Sequence, residues 1–369
     1  MRIIVTGGGT GGHIYPAIAI AQKFIEKDPE GEVLYVGCHE GFEKDLVPKA
    51  GLNLKLVDAR WIDKKNPYQL LKTSARVMHG IIQARKVISD FKPDAIIGTG
   101  GYVCFPVIFA GAKKGIPCFI HEQNAFPGLA NRRLEKYVEK VFLGFEEGKE
   151  YFECQEKMVP TGNPVRDSFF KISKEEARKK LGIPEDYFML LSFGGSLGAP
   201  SINEVAFEIA KELSGKEKTV MTFGTGKWYY DDVMKKCQDE NANFEDNISI
   251  KPYIDDMDNV LIASDMVVSR SGALSTAETM VAGKPSILIP SPNVAGNHQY
   301  FNAKALADQD ASILIEEKTL KENGTEFAIE EILKLMNDKD RLKVMGENAK
   351  KIAHVDATDI IYKNVVEII

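Results

Sequence analysis

Five glycines and a histidine follow the first apolar run of the chain, in the order VTGGGTGGH from Val5 to His13. A strand-like run precedes them and an amphipathic stretch follows, so Gly7–Gly12 satisfies the pattern G-x-G-x-x-G in its proper context. Glycines let backbone N–H groups approach a ligand, and a helix N-terminus favours negative charge. The loop predicts a phosphate site. A dinucleotide site would also need an acidic residue after the second strand, where Glu40 is poorly placed, and a tight packing turn is the remaining alternative.

Two further loops have the same character. GTGGYVCFP (98–106) follows an apolar run. In an open sheet it is expected at the same rim as the first loop, the rim being the edge formed by the carboxyl ends of the strands. FGGSLGA (193–199) opens the second half of the chain, and there Ser196 could hold a phosphate with its hydroxyl and adjacent N–H groups. GTGKW (224–228) fails as a phosphate loop of the Walker type, because Met221 replaces the first glycine and Trp228 replaces the magnesium-binding hydroxyl.

Few residues are suited to acid–base chemistry. Of the six histidines, His13 ends a ligand loop at a helix start and is the first candidate for a general base or an acceptor-orienting residue. Glu122 is a second candidate base, although an anchor of its loop by hydrogen bonds is the favoured interpretation. His121 and His298 are as well explained by structural hydrogen bonds as by ligand binding. His39, His79 and His354 are most simply surface residues.

The compact acidic cluster of the chain is Asp255-Asp256-Met257-Asp258, which contains one D-x-D pattern. It lies between a strand and a helix-like stretch, so an acidic helix N-terminus is favoured over a metal site. No metal and no cofactor are expected.

Strands and helices alternate through the chain, which predicts an α/β protein with parallel sheets. The pattern restarts at FMLLSFGGSLGA (188–199), so we expect two doubly wound, Rossmann-like halves that face a central cleft. The expected domains are 1–162, 163–340 and a C-terminal helix over 341–369 that could pack back on the first half. At 369 residues and a net charge of −6, overall charge gives no reason to expect nucleic acid. The five cysteines show no C-x-x-C pair and are expected to be free thiols.

Six motifs occur in order along the chain: GGGTGGHIYPAIAIA, HEQNAFPGLANR, GNPVR, GGSLGA, SRSGALSTAE and HQYFNA. Together they closely resemble the MurG family of peptidoglycan N-acetylglucosaminyltransferases, from residue 1 to past residue 303. That family has the GT-B glycosyltransferase fold. It transfers N-acetylglucosamine (GlcNAc) from UDP-GlcNAc to undecaprenyl-diphospho-N-acetylmuramyl-pentapeptide (lipid I), which gives lipid II. The resemblance implies this activity, and we expect an inverting, metal-independent transfer to the C4 hydroxyl of the muramyl unit.

The resemblance also implies the donor site. Ser196 would contact a phosphate, the backbone of Ile254 the uracil, and Glu278 the ribose hydroxyls. The remaining donor residues implied in the same way are Thr10, Gly11, Gly12, Asn124, Arg166, Ala273, Leu274, Ser275, Thr276, Ala277, Gln299 and Asn302. Leu197 departs from the family, many of whose members carry Gln there, so a contact made by that Gln is not carried over.

The opening loop is then expected to hold the acceptor diphosphate, with the GTGGY loop beside it. The residues assigned to this acceptor site are Gly9, Thr10, Gly11, Gly100, Gly101 and Tyr102. His13 would stand near the hydroxyl that is activated, with catalytic roles assigned to His13 and Glu122.

Three rival functions are weighed against this one: a GT-B UDP-GlcNAc 2-epimerase, a nucleotide-binding regulator without turnover, and a Rossmann dehydrogenase. The N-terminal motifs disfavour the first, and His13, Glu122 and Arg166 disfavour the second.

The lipid tail of the acceptor stays in a bilayer, whereas no apolar run is long enough to span one and no signal peptide is recognised. We therefore expect a peripheral enzyme on the cytoplasmic face of the cell membrane, with other cell-wall synthesis proteins as candidate partners. Cations and apolar side chains interleave between Trp61 and Lys86, which suits an anionic membrane surface. They are Trp61, Lys64, Lys65, Tyr68, Leu70, Leu71, Lys72, Arg76, Ile81, Ile82, Arg85 and Lys86. A core helix with a solvated basic face is an equal alternative for 75–88.

Overall fold

A computed structural model describes residues 1–59, 67–166 and 168–369, and the side chains of 67–76 lie outside that description. The chain divides into two compact units, of which the first comprises Met1–Val165 with Asp356–Ile369 and the second Arg166–Val355. Each unit has its own parallel sheet and its own hydrophobic core.

Unit 1 is built on a parallel sheet whose strands read as continuous apolar runs, as expected for strands covered on both faces. In the described part of this unit the sheet has seven strands in the order β3-β2-β1-β4-β5-β6-β7. Their bounds are β1 (Arg2–Thr6), β2 (Glu32–Cys38), β3 (Asn53–Val57), β4 (Ala95–Gly98), β5 (Cys118–Glu122), β6 (Lys140–Leu143) and β7 (Met158–Pro160).

Helices cover both faces of this sheet. They are α1 (Gly11–Lys27), α2 (Glu43–Lys49), α3 (Pro67–Phe91), α4 (Cys104–Ala112), α5 (Leu129–Leu134) and, from the end of the chain, α15 (Ala357–Val366). One apolar cluster joins α3 and α4 to the sheet, and the other joins α1 and α15 to its opposite face. Short 3₁₀ turns occupy Glu135–Tyr137, Glu146–Tyr151 and Gln155–Lys157.

Unit 2 repeats this architecture. Within its described residues the parallel sheet has six strands in the order β10-β9-β8-β11-β12-β13. The strands are β8 (Phe188–Phe193), β9 (Thr219–Gly224), β10 (Ile248–Lys251), β11 (Met266–Ser269), β12 (Ser286–Leu288) and β13 (Ser312–Leu314). The helices are α6 (Ser168–Lys171), α7 (Lys174–Leu181), α8 (Pro200–Leu213), α9 (Tyr230–Asp239), α10 (Met257–Ala263), α11 (Ala273–Val281), α12 (His298–Asp308), α13 (Glu317–Asn337) and α14 (Lys339–Ile352), with a 3₁₀ turn at Ala295–Asn297.

The C-terminal segment forms two helices rather than the single helix expected over 341–369. Helix α14 ends at Ile352 and belongs to unit 2, whereas α15 begins at Ala357 and belongs to unit 1. On α15, Ile361 is fully buried, and the ring centroid of Tyr362 lies 5.0 Å from that of Phe24 on α1. The last helix is therefore part of the core of unit 1, because its apolar face closes over α1.

The structure describes only part of the segment between Trp61 and Lys86 that is predicted to contact a membrane. Trp61, Lys64 and Lys65 lie outside the described residues, as do the side chains of Tyr68, Leu70, Leu71, Lys72 and Arg76. Further along α3, Ile81 packs in the core and is not available to a membrane, whereas the neighbouring Ile82 is 60% exposed. In the part of the chain that the structure describes, no helix is long and apolar enough to cross a bilayer.

Candidate active site

The sheet of unit 1 reverses its strand order between β1 and β4, and open α/β sheets bind ligands at the carboxyl ends of the strands at such a point. The loops that follow β1 and β4 are the two glycine-rich loops of this half. Parallel pairing brings Thr6 opposite Gly98, so both loops leave the sheet side by side. The expectation that they share one rim is confirmed.

Close backbone contact joins the two loops. The N–H of Gly8 donates to the carbonyl oxygen of Gly100 at 3.2 Å. At Gly101, where φ is +80°, a Cβ atom would stand 2.2 Å from the carbonyl oxygen of Gly8, so only glycine fits. Gly101 is therefore required by the packing of one loop on the other.

The first turn of α1 faces the same rim. Thr10 is its N-cap and makes no side-chain capping bond, and the first N–H groups of a helix lack intrahelical partners. Tyr102 lies beside this turn, since its ring would stand 3.1 Å from a Cβ at Gly9. Burial raises the pKa of Tyr102 to about 12, so the phenol is a donor at neutral pH. N–H groups and a phenol together form an environment suited to an anion.

His13 is held by the loop after β4. Its Nδ1 lies 3.1 Å from the carbonyl oxygen of Thr99, whose hydroxyl donates to the carbonyl oxygen of His13 at 2.7 Å. A carbonyl oxygen can only accept, so Nδ1 carries the proton of the neutral ring and Nε2 carries the lone pair. The imidazole is half-buried and is oriented for a proton transfer at Nε2.

Glu122, at the end of β5, is buried and accepts four hydrogen bonds. Oε1 receives the N–H of Asn124 at 3.0 Å and its side-chain amide at 3.2 Å. Oε2 receives the N–H of Gly128 and the amide of Asn131, both at 2.9 Å. Donors on both oxygens are the arrangement of a loop anchor, which supports that interpretation over a general base.

In unit 2 the strand order reverses between β8 and β11, again where two loops meet. The loop after β8 carries an exposed Ser196, followed by Gly198 at φ +92°. A Cβ at Gly226 would lie 2.1 Å from the Cα of Gly198, so the loop after β9 supports this loop directly. Ile254 is buried beneath Gly224 on the same side.

The loop after β11 leads into α11, whose first residues are the predicted Ala273, Leu274 and Ser275, with Thr276 and Ala277 buried behind them. Helix α12 braces this helix start. Asn302 is fully buried and donates to the carbonyl oxygen of Ser271 at 3.1 Å, and the hydroxyl of Ser271 donates to the carbonyl oxygen of Gln299 at 2.8 Å. The side-chain oxygen of Gln299 accepts from the N–H of Ser291 at 2.8 Å. Gln299 and Asn302, which the resemblance assigns to the donor, thus position the loops of this site.

Arg166, Asp258 and Glu278 form an ion-pair cluster in unit 2. Nη1 of Arg166 lies 2.6 Å from Oδ1 of Asp258, and Nη2 lies 3.0 Å from Oε1 of Glu278. Burial raises the pKa of Glu278, and Arg166 opposes this rise. Sequence reasoning placed Arg166 and Glu278 in the site but did not connect Asp258 to them.

The two carboxylates of the D-x-D pattern, Asp256 and Asp258, contact different residues. Asp256 binds Lys180 at 2.8 Å and the amide of Asn259 at 2.6 Å, whereas Asp258 binds Arg166. Asp258 lies in the first turn of α10, in agreement with an acidic helix start. Among the described side chains, no three His, Cys, Asp or Glu residues converge as metal ligands.

Comparison with known proteins identifies the family. Residues 3–143 match the glycosyltransferase family 28 N-terminal domain, and residues 189–361 match the C-terminal domain of the same family. The chain belongs to glycosyltransferase family 28. The first match falls on unit 1, and the second falls on unit 2 except for residues 356–361, which belong to unit 1; together they include both pairs of glycine-loop and helix-start loops.

Relatives of this family 28 chain match it over nearly all of their length. The chain is 43% identical to the UDP-N-acetylglucosamine–N-acetylmuramyl-(pentapeptide) pyrophosphoryl-undecaprenol N-acetylglucosamine transferase of Acetivibrio thermocellus, over 100% of this chain and 98% of the relative. It is 40% identical to the transferase of the same name from Clostridioides difficile, over 100% of this chain and 89% of the relative.

Solved structures show the same fold. The MurG structure of Acinetobacter baumannii superposes with a TM-score of 0.78 at 24% identity, covering 100% of this chain and 99% of the other. A UDP-GlcNAc 2-epimerase of Neisseria meningitidis bound to UDP-GlcNAc superposes at 0.70 with 18% identity and complete coverage of both. The resemblance to MurG, the GT-B fold and the assignment as a glycosyltransferase are confirmed, and the roles of single residues stay predictions.

Proposed function

We propose that this chain transfers GlcNAc from UDP-GlcNAc to the C4 hydroxyl of the muramyl unit of lipid I, giving lipid II for peptidoglycan synthesis and hence for cell shape and division. The observation that carries the proposal is full-length similarity, at 40–43% identity, to relatives whose names specify this donor and acceptor. The two rims of glycine-rich loops supply phosphate-binding backbone for two phosphate-bearing substrates.

The donor is assigned to unit 2. Ser196 and the N–H groups of its loop would bind the diphosphate, and α11 would direct its N-terminus toward the same charge. Arg166 would neutralise the phosphates, with Glu278 beside it on the ribose hydroxyls. These groups also stabilise the negative charge that grows on UDP as it leaves, so the proposed transfer needs no metal ion.

The acceptor is assigned to unit 1. The N–H groups of Gly9–Gly11 and the loop of Gly100, Gly101 and Tyr102 would bind the acceptor diphosphate. Nε2 of His13 then takes the proton of the C4 hydroxyl while that oxygen bonds to the anomeric carbon of GlcNAc and the bond to UDP breaks. A single displacement of this kind inverts the configuration and gives a β linkage.

The enzyme is proposed to act as a peripheral protein on the cytoplasmic face of the cell membrane, where lipid I presents its headgroup. Within the segment between Trp61 and Lys86, Ile82 and Met78 on α3 are 60% and 58% exposed and offer apolar side chains to a membrane. Other cell-wall synthesis proteins remain candidate partners.

Incubation with labelled UDP-GlcNAc and a short-chain lipid I analogue tests this function. Labelled disaccharide product together with UDP is the expected result. Isomerisation of UDP-GlcNAc without transfer would instead identify a 2-epimerase, and binding without turnover would identify a regulator. Product with an α linkage would contradict inversion. Activity that vanishes with chelator and returns with magnesium would contradict metal independence.

A further inference from the structure

A buried line of hydrogen bonds runs behind His13 through residues that the mechanism above does not use. Nε2 of His121 lies 3.0 Å from the carbonyl oxygen of Gly162, and Nδ1 of His121 lies 2.9 Å from Nε2 of Gln123. The other amide atom of Gln123, Oε1, lies 3.0 Å from Nδ1 of His13. His121 and Gln123 are 0% and 1% exposed, so water does not replace these contacts.

The two ends of this line fix its direction. The carbonyl oxygen of Gly162 only accepts, so Nε2 of His121 donates and Nδ1 of the neutral ring accepts. Burial lowers the pKa of His121 to about 4, which keeps the ring neutral. Gln123 must then turn its NH₂ group to His121, where it also donates to the carbonyl oxygen of His121 at 3.1 Å. Its oxygen is left facing His13 as an acceptor.

We infer that Gln123 is a positioning residue that holds His13 with its proton on Nδ1, and that His121 sets the orientation of the Gln123 amide. This inference rests on the proposed function, in which Nε2 of His13 is the base. As Nε2 takes up the acceptor's proton, the side-chain oxygen of Gln123 also faces the positive charge that develops on the imidazole.

The reversed amide is disfavoured at every contact. It would place NH₂ against Nδ1 of His13, which already donates to the carbonyl oxygen of Thr99. At the other end of the side chain, it would place the amide oxygen against two acceptors of His121, the lone pair of its Nδ1 and its carbonyl oxygen. Buried polar atoms without partners are costly, so the orientation of Gln123 is strongly determined.

Nitrogen chemical shifts of histidine-labelled full-length protein test the assignment without any mutation. At neutral pH, His13 should show the Nδ1–H tautomer and His121 the Nε2–H tautomer. Exposed His79, which contacts Asp58 at 2.8 Å, gives a reference signal. An Nε2–H tautomer at His13, or an Nδ1–H tautomer at His121, would overturn the inference.

Substitutions then test the link to turnover with a soluble lipid I analogue. Gln123→Leu should lower kcat by ~10–100-fold, less than the ~10²–10⁴-fold expected for loss of the base itself, with KM for UDP-GlcNAc unchanged. Gln123→Glu keeps an acceptor for His13 and should retain more activity than Gln123→Leu, while its second oxygen changes the tautomer of His121. Gln83→Leu is the matched control, because its amide serves Asp58 in the same unit, and it should leave kcat and the His13 tautomer unchanged.

The outcomes separate this inference from the proposed function. If the wild-type protein makes no product, the proposed function fails, and the tautomers are still decided by the shifts. If the wild type is active and a folded Gln123→Leu variant has unchanged kcat, the positioning role fails and the transferase activity stands. Should Gln123→Leu not fold, Gln123→Glu and the wild-type shifts carry the test.

Discussion

Nη1 of Arg166 forms an ion pair with Oδ1 of Asp258 at 2.6 Å. The other end of the guanidinium contacts Glu278. The arginine proposed for the donor diphosphate therefore rests between two carboxylates, and a phosphate that binds there competes with them.

This competition predicts that Asp258→Asn tightens UDP binding. The substitution removes a negative charge that both holds Arg166 and repels phosphate, and since the arginine side chain is 48% exposed the gain should be modest. We expect UDP affinity to rise by roughly two- to fivefold, about 0.4–1 kcal/mol, in calorimetry. Asp255→Asn, with the same change in charge nearby, should have a smaller effect. Weaker UDP binding by the Asp258 variant would mean that Asp258 positions Arg166 rather than competing for it.

Ser196→Ala should weaken UDP-GlcNAc binding by about 1.5–3 kcal/mol, because a charged phosphate would lose a hydrogen bond. Ser214→Ala, at the opposite end of α8, is the matched control, since its hydroxyl only receives the N–H of Glu245. Equal donor affinity in the Ser196 variant and the wild type would remove Ser196 from the diphosphate site.

His13→Ala should lower kcat by ~10²–10⁴-fold while the affinity for UDP changes little, because His13 lies on the loop assigned to the acceptor. Steady-state kinetics with a soluble acceptor, alongside UDP titration, separates the two effects. His79→Ala, an exposed histidine of the same unit, should be near wild type. Normal turnover in His13→Ala would require another base, although Glu122 is already engaged by four donors.

Lys284 gives a pH dependence of stability. Its Nζ is buried against the carbonyl oxygens of Ile262 and Ser264, at 2.6 and 2.7 Å, and burial lowers its pKa to about 7. Between pH 7 and 10.5 the unfolded state therefore binds more protons than the folded state, so this group makes stability rise with pH.

Replacing this lysine should remove that rise. The difference in unfolding free energy between wild type and Lys284→Met should change in favour of the wild type from pH 7 to 8.5, by up to ~1.4 kcal/mol per pH unit. Urea unfolding at several pH values measures it, and Lys304→Met at an exposed site is the control. Parallel pH profiles for wild type and Lys284→Met would contradict the lowered pKa.

If the enzyme docks on a membrane, substitutions in the docking segment should reduce vesicle binding without reducing catalysis on a soluble acceptor. Replacing Leu70 and Leu71 with Ser and Lys72 with Glu should reduce binding to anionic vesicles and activity on long-chain lipid I, because apolar insertion and charge attraction are both weakened. Activity on a short-chain soluble acceptor should persist. Undiminished vesicle binding by the triple variant would place the docking surface elsewhere.

The sequence by itself determined the two doubly wound halves, the glycine loops and the family. Apolar runs before glycines and amphipathic stretches after them are local patterns, so β1, β4 and β8 were predicted in place. Short strands such as Lys140–Leu143 and Ser312–Leu314 carry too few residues for a pattern and were missed. The break between α14 and α15 was also missed, because it depends on the packing of Ile361 into the core of unit 1, which is a tertiary contact.

Only the tertiary structure decided which atoms of the site meet. His13 contacts Thr99 and Gln123 across 86 and 110 residues of sequence, and the parallel register of β1, β4 and β5 brings them together. Sequence spacing carries no information about such distances, so the proton on Nδ1 of His13 could not be predicted from the motifs. The chain specifies which residue types reach the rim, whereas strand register and burial specify their partners and hence their protonation.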